Sequence, residues 1–183
     1  MNGPILFGVI GAAVLVHAHR RARARGTNAS GAATAETVNG SRMPGRYPLP
    51  EADADAFYAD VLLALGMPAT ANRLRFMRAW RQAEGAEATF NPWNTTWSRG
   101  RASRYNSVGV GNYATRADGL AASAGTLRLR YYTDLRARLA RDDAPELVAL
   151  SPDLRTWGTG AGVSRVLAAF PGAIPYRSPL FGV

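Results

Sequence analysis

Glu84 lies four residues after Trp80 and one before Gly85, where a helical pattern gives way to the loop FNPWNTTW. A carboxylate at a helix C-terminus meets the negative end of the macrodipole, which favours its protonated form. Trp80, one turn back, can desolvate the same group and push in the same direction. A carboxylic acid kept protonated near neutral pH is what general-acid attack on a glycosidic oxygen requires. The competing reading is a solvated glutamate at a frayed helix end. Glu87 is a candidate second carboxylate, or plain surface charge.

The loop supplies Asn91, Trp93, Asn94, Thr95, Thr96 and Trp97. Sugars have apolar faces ringed by hydroxyls, so aromatic platforms beside amides and hydroxyls make a groove that suits them. A well-packed aromatic corner would use the same residues. The following stretch, SRGRASRYNSVGVGNYAT, adds Arg99, Arg101, Arg104, Tyr105, Asn106 and Tyr113. Its basic half suits an anionic polymer, or a solvated surface loop. GVG within it is too short to count as a phosphate-binding motif.

Composition narrows the chemistry further. The chain of 183 residues has no cysteine, and all 22 basic residues are arginine. Thiol nucleophiles, thiolate zinc sites, disulfides and Schiff-base lysines are therefore excluded. Both histidines, His17 and His19, lie near the N-terminus, so serine triads and histidine metal sites cannot be built beyond them. Carboxylates must carry any catalysis there; no metal ligand set and no cofactor motif is read. The formal net charge of +9 suits an anionic partner. From Glu51 onward, however, 16 arginines face 12 acids, leaving only +4, and nucleic acid is not the expected partner.

The elements that must position Glu84 follow from periodicity and caps. EADADAFYADVLLALG opens with acids at its positive end and stops at Gly66. A second helix, capped by Thr70 or Asn72, runs to Glu84, with Phe76, Ala79, Trp80 and Ala83 as its inward stripe. A loop and short extended stretch cover Asn91 to Thr115, where Val108 and Val110 alternate with glycines. Further helices are expected over about Ala117–Arg130, Tyr132–Arg141, Ala144–Leu150 and Val163–Phe170, with a break near Tyr131. Prolines recur in the tail PGAIPYRSPLFGV and prevent a helix there. The fold class is mainly α, with a small β element.

Three segments are expected. Residues 1–25 hold an apolar stretch, Pro4–His19, followed by the basic run Arg20–Arg25. At about 1.5 Å per residue the stretch spans roughly 24 Å, slightly short of a ~30 Å hydrocarbon core. Snorkelling arginines make up the difference. Ile5, Leu6, Phe7, Val9, Ile10, Val14, Leu15 and Val16 would face lipid in a single transmembrane helix. A signal peptide is the rival, though it would lack a basic n-region, and a core helix is the third reading. The basic flank would stay cytoplasmic under the positive-inside rule. Residues 26–50 read as a flexible linker, and 51–183 as the globular unit.

The blocks AWRQAEGAEATFNPWNTT, YNSVGVGNYATRADGLAASAGTLRLRYYTDL and SPDLRTWGTG together resemble lysozyme-like peptidoglycan-degrading domains of bacteriophages. More distantly they are similar to the glucosaminidase branch of cell-wall hydrolases. The resemblance covers about Leu62 to Gly160. It implies a lysozyme-like helical fold, Glu84 as general acid, Asn91 and Asn94 in the loop beneath the cleft, and Tyr113 opposite the glutamate. The sequence departs from that pattern where GAEA follows instead of a serine or threonine with Gly-Trp-Gly.

The implied function is a membrane-anchored, virion-associated enzyme, a glycosidase or lytic transglycosylase cleaving peptidoglycan. Glycan strands, a lipid bilayer and other virion proteins are its expected partners. An internal virion membrane or the host cell membrane is its expected location. The alternative is a non-catalytic structural or glycan-binding protein of a virion membrane with a degenerate lysozyme-like fold.

Overall fold

A computed structural model describes residues 51–85, 88–97 and 102–175. The expected membrane-facing residues Ile5, Leu6, Phe7, Val9, Ile10, Val14, Leu15 and Val16 lie outside this range, as do the linker, Glu87, Arg99, Arg101 and the end of the tail. Among the described residues no helix is long and apolar enough to cross a membrane.

The described chain is mainly helical, with one small antiparallel hairpin. Helix α1 spans Glu51–Ala64 and α2 spans Ala71–Glu84. Strands β1 (Ala102–Arg104) and β2 (Gly111–Tyr113) pair with Ser103 opposite Asn112. Then come α3 (Arg116–Leu127), a 3-10 turn (Arg130–Tyr132), α4 (Thr133–Ala140), α5 (Pro145–Val148), α6 (Asp153–Trp157) and α7 (Gly160–Ala169). The expected break near Tyr131 is present as the 3-10 turn. Helix α6 is not foreseen by periodicity, and α7 starts at Gly160 rather than Val163.

Helix α2 runs through the middle, packed against α1, α5 and α7. Its apolar stripe explains why: Phe76, Ala79 and Trp80 are fully buried, and Ala83 packs at the edge of the core. Thr70 caps its start, accepting from the Arg73 amide at 3.2 Å. Its end is turned by Gly85, which takes the left-handed conformation at φ 54° and donates to the carbonyls of Arg81 and Gln82. Around Trp80 an aromatic cluster forms from Phe76, Trp93 and Trp157, extended by Phe57, Tyr58 and Tyr132.

Arginines tie off the helix ends. Arg73 is buried and donates from Nε to Leu139 O at 2.7 Å and from Nη2 to Ala140 O at 3.0 Å, closing the end of α4. Arg128 donates to Ala64 O at the end of α1, and Arg136 to Leu127 O at the end of α3. Arg75 donates to Phe170 O at 3.0 Å, after α7. Terminal carbonyls lack partners within their own helix and carry the negative end of its dipole, so a cation with several donors suits them. Part of the positive charge is therefore turned inward, onto the fold.

Candidate active site

Glu84 ends α2 and is 8% exposed. Trp80, one turn earlier on the same face, donates from its indole N–H to Glu84 Oε1 at 3.3 Å. Asn94 reaches back across the loop, donating from Nδ2 to Glu84 Oε2 at 3.2 Å and to Glu84 O at 3.3 Å. The carboxyl group is thus held from both sides. Burial and the helix end disfavour its charge, while the two N–H donors favour it.

Two aromatic residues from distant segments close around this corner. Trp157 of α6 meets Trp80 edge-on, with ring centroids 4.7 Å apart, and Tyr132 packs on Trp157 at 5.1 Å. The phenol of Tyr132 is pushed up to about 12, chiefly by burial and then by the charges of Asp153 and Glu84. Tyr132 therefore feels the charge of Glu84.

The loop from Ala88 to Trp97 is built around Asn91, which is fully buried. Its Nδ2 donates to Thr95 O and Gly111 O, both at 2.8 Å, and its Oδ1 accepts from the Thr95 amide at 2.8 Å. Thr126 gives its single hydroxyl proton to Ala122 O, so Thr95 is the donor in the 2.6 Å contact between the two hydroxyls. Strand β2 fastens the other side, with Tyr113 N donating to Thr89 O at 3.0 Å. Helix α3 lies so close that a Cβ on Gly119 would fall 2.2 Å from Phe90 O.

These contacts revise the expected roles of several residues. Trp93 is 1% exposed, packs on Trp80 and Tyr58, and donates to Met77 O at 3.4 Å, so it is core rather than a sugar platform. Asn91 and Thr95 are likewise turned inward. Tyr113 is 1% exposed, and its hydroxyl donates to Trp97 O at 2.5 Å; burial pushes it up to about 12. It pins the loop instead of lining an open cleft. Asn106 shapes the hairpin turn, its Oδ1 accepting from the Val110 amide at 3.1 Å, beside Tyr105, whose amide donates to Val110 O at 2.7 Å. Trp97, with its ring against Gly125, is the loop tryptophan that stays half-buried.

Of the expected set, Glu84 and Asn94 are brought together, and Trp80 joins them. Tyr132 and Trp157 belong to the same corner and were not expected there. Their only trace in the sequence is that both fall inside the blocks YYTDL and RTWGTG. Among the described residues, no three of His, Cys, Asp and Glu gather as a metal would need. Asp153, a further carboxylate whose charge reaches Tyr132, accepts from the Leu135 amide at 2.8 Å and so caps α4. An open groove lies between α1, α2 and the segment after α7, lined by Asp55, Tyr58, Arg78, Gln82 and Ile174 among others. No family model, curated protein or solved structure matches the chain.

Proposed function

We propose that this chain cleaves peptidoglycan glycan strands, with Glu84 protonating the glycosidic oxygen between amino sugars. The observation that carries the reading is the buried carboxyl of Glu84, held at the end of a core helix by Trp80 and Asn94. In this reading the helical unit is a lysozyme-like domain, on the strength of the sequence blocks surrounding that glutamate.

With Asp153 engaged as a cap, the reading favours a route that needs one carboxylate. The Glu84 proton passes to the leaving oxygen as the bond from the anomeric carbon breaks. In lytic transglycosylation the sugar's own 6-hydroxyl then closes on that carbon, and the Glu84 carboxylate takes its proton, leaving an anhydro end. In hydrolysis water takes that place and leaves a reducing end. The apolar segment Pro4–His19 anchors the enzyme to a bilayer, and carriage in a virion membrane delivers it to the wall.

The test is to incubate the full-length protein in detergent with purified wall and identify product ends by mass spectrometry. New anhydro or reducing ends that vanish with Glu84→Gln support the reading. A second reading, a non-catalytic virion protein with a degenerate lysozyme-like fold, is favoured by the burial of Asn91, Trp93, Thr95 and Tyr113. No new ends from the wild type on any wall preparation would establish that alternative.

A further inference from the structure

We propose that Asn94 is a positioning residue for Glu84, its amide holding Oε2 and stabilising the carboxylate as the proton leaves. The inference rests on the reading of Glu84 as proton donor, and it moves Asn94 from the sugar to the acid.

The geometry is specific. Asn94 sits at φ 55°, a left-handed conformation that asparagine adopts more readily than most residues. That backbone turn aims the amide at the end of α2, where Nδ2 contacts both the main-chain and side-chain oxygens of Glu84. Asn94 is 7% exposed, and its Oδ1 has no hydrogen-bond partner among the described residues. The main-chain oxygen of Glu84, which can only accept, and the carboxylate left once the proton has gone both call for the Nδ2 side of the amide, since turning it over would set Oδ1 against them. An acid that gives up a proton develops negative charge on its own oxygens. Donors already aimed there are worth more in the transition state than in the ground state.

Arg81 stands in the last turn of α2, three residues before Glu84. The loop from Ala88 to Trp97 contains no titratable side chain. Tyr132 approaches from the 3-10 turn, with Asp153 of α6 behind it. The titratable side chain of α7 is Arg165, whose Nε donates to Ala161 O within its own helix. On α1, Asp55 is paired with Arg78 of α2, and Tyr58 lies in the aromatic core.

Asn94→Gly is the cleanest variant, because glycine accepts the left-handed backbone and only the amide is lost. Asn94→Asp keeps shape and backbone preference but exchanges the donor for an acceptor. In the full-length protein, the Glu84 carboxyl carbon is followed by NMR against pH, assigned by its disappearance in Glu84→Gln. The expected result is a midpoint moved up by about one pH unit in Asn94→Gly, and further in Asn94→Asp. In the wall assay, the maximal rate falls on the order of ten- to a hundredfold with saturation unchanged. The alkaline limb of the rate profile moves to higher pH, because Glu84 must be protonated to act.

An unmoved midpoint in both variants overturns the inference, whatever the wall assay gives. A wild type that releases no product ends overturns the assignment of Glu84 as proton donor instead, so the two failures are distinguishable.

Discussion

The hydroxyl of Tyr113, on strand β2, donates to the main-chain carbonyl of Trp97 at 2.5 Å and so fastens the hairpin to the end of the Asn91 loop. Tyr113 is buried and Trp97 half-buried, so removing the donor leaves a carbonyl that water regains only in part. Tyr113→Phe is expected to lower stability by about 1–3 kcal/mol in urea titration. Wall cleavage by the folded fraction is expected to persist; abolition with stability intact would return Tyr113 to the catalytic set.

Two of the buried tyrosines, Tyr113 and Tyr132, give a pH dependence of known sign. Tyr113 and Tyr132 are both pushed up to about 12 from an ordinary value of 10. Between those values the unfolded chain releases protons that the folded chain keeps, so stability falls as pH rises from about 10 to about 12. Below 10 the contribution is fully present. Denaturant midpoints across this window should decline, and Tyr113→Phe should make the decline shallower.

Glu84 and Tyr132 can be tested as neighbours without any wall substrate. The charge of Glu84 helps to hold the Tyr132 phenol up. Glu84→Gln removes that charge and should bring the Tyr132 titration, followed by ultraviolet absorbance, down in pH. An unchanged curve would separate the two side chains.

Arg73 closes the end of α4 with a planar fork that lysine cannot reproduce. Arg73→Met should cost about 3 kcal/mol, because the buried Leu139 carbonyl and the part-buried Ala140 carbonyl lose a charged donor. Arg73→Lys should recover only part of the loss. Both effects are read from the denaturant midpoint.

Gly119 has no room for a side chain, since a Cβ would strike Phe90 O at 2.2 Å. Gly119→Ala must push the loop off α3, at about 1–3 kcal/mol or more. The displacement should reach Asn94 and reduce wall cleavage beyond the loss of folded protein.

The middle of the fold was legible because its signal is periodic. Phe76, Ala79, Trp80 and Ala83 recur at helical spacing, and the same spacing puts Trp80 beside Glu84. The loop has no period, so nothing local distinguishes Trp93, which enters the core, from Trp97, which stays half-buried. Asn91 and Asn94 look alike in the sequence, yet one braces the loop and the other reaches Glu84. Helix α6 is five residues long, too short for a periodic pattern to register. Tyr132 and Trp157 arrive at the corner through turns far along the chain, which only the folded path brings together.

The inward-facing arginines bear on how the molecule meets brine. Mobile ions screen exposed charges strongly, but they have little access to a guanidinium buried against peptide carbonyls, as Arg73 is. Concentrations of sodium chloride that release a cationic protein from an acidic resin should therefore leave this scaffold intact. Stickiness and sturdiness, both suggested by so many arginines, are properties of different members of the set.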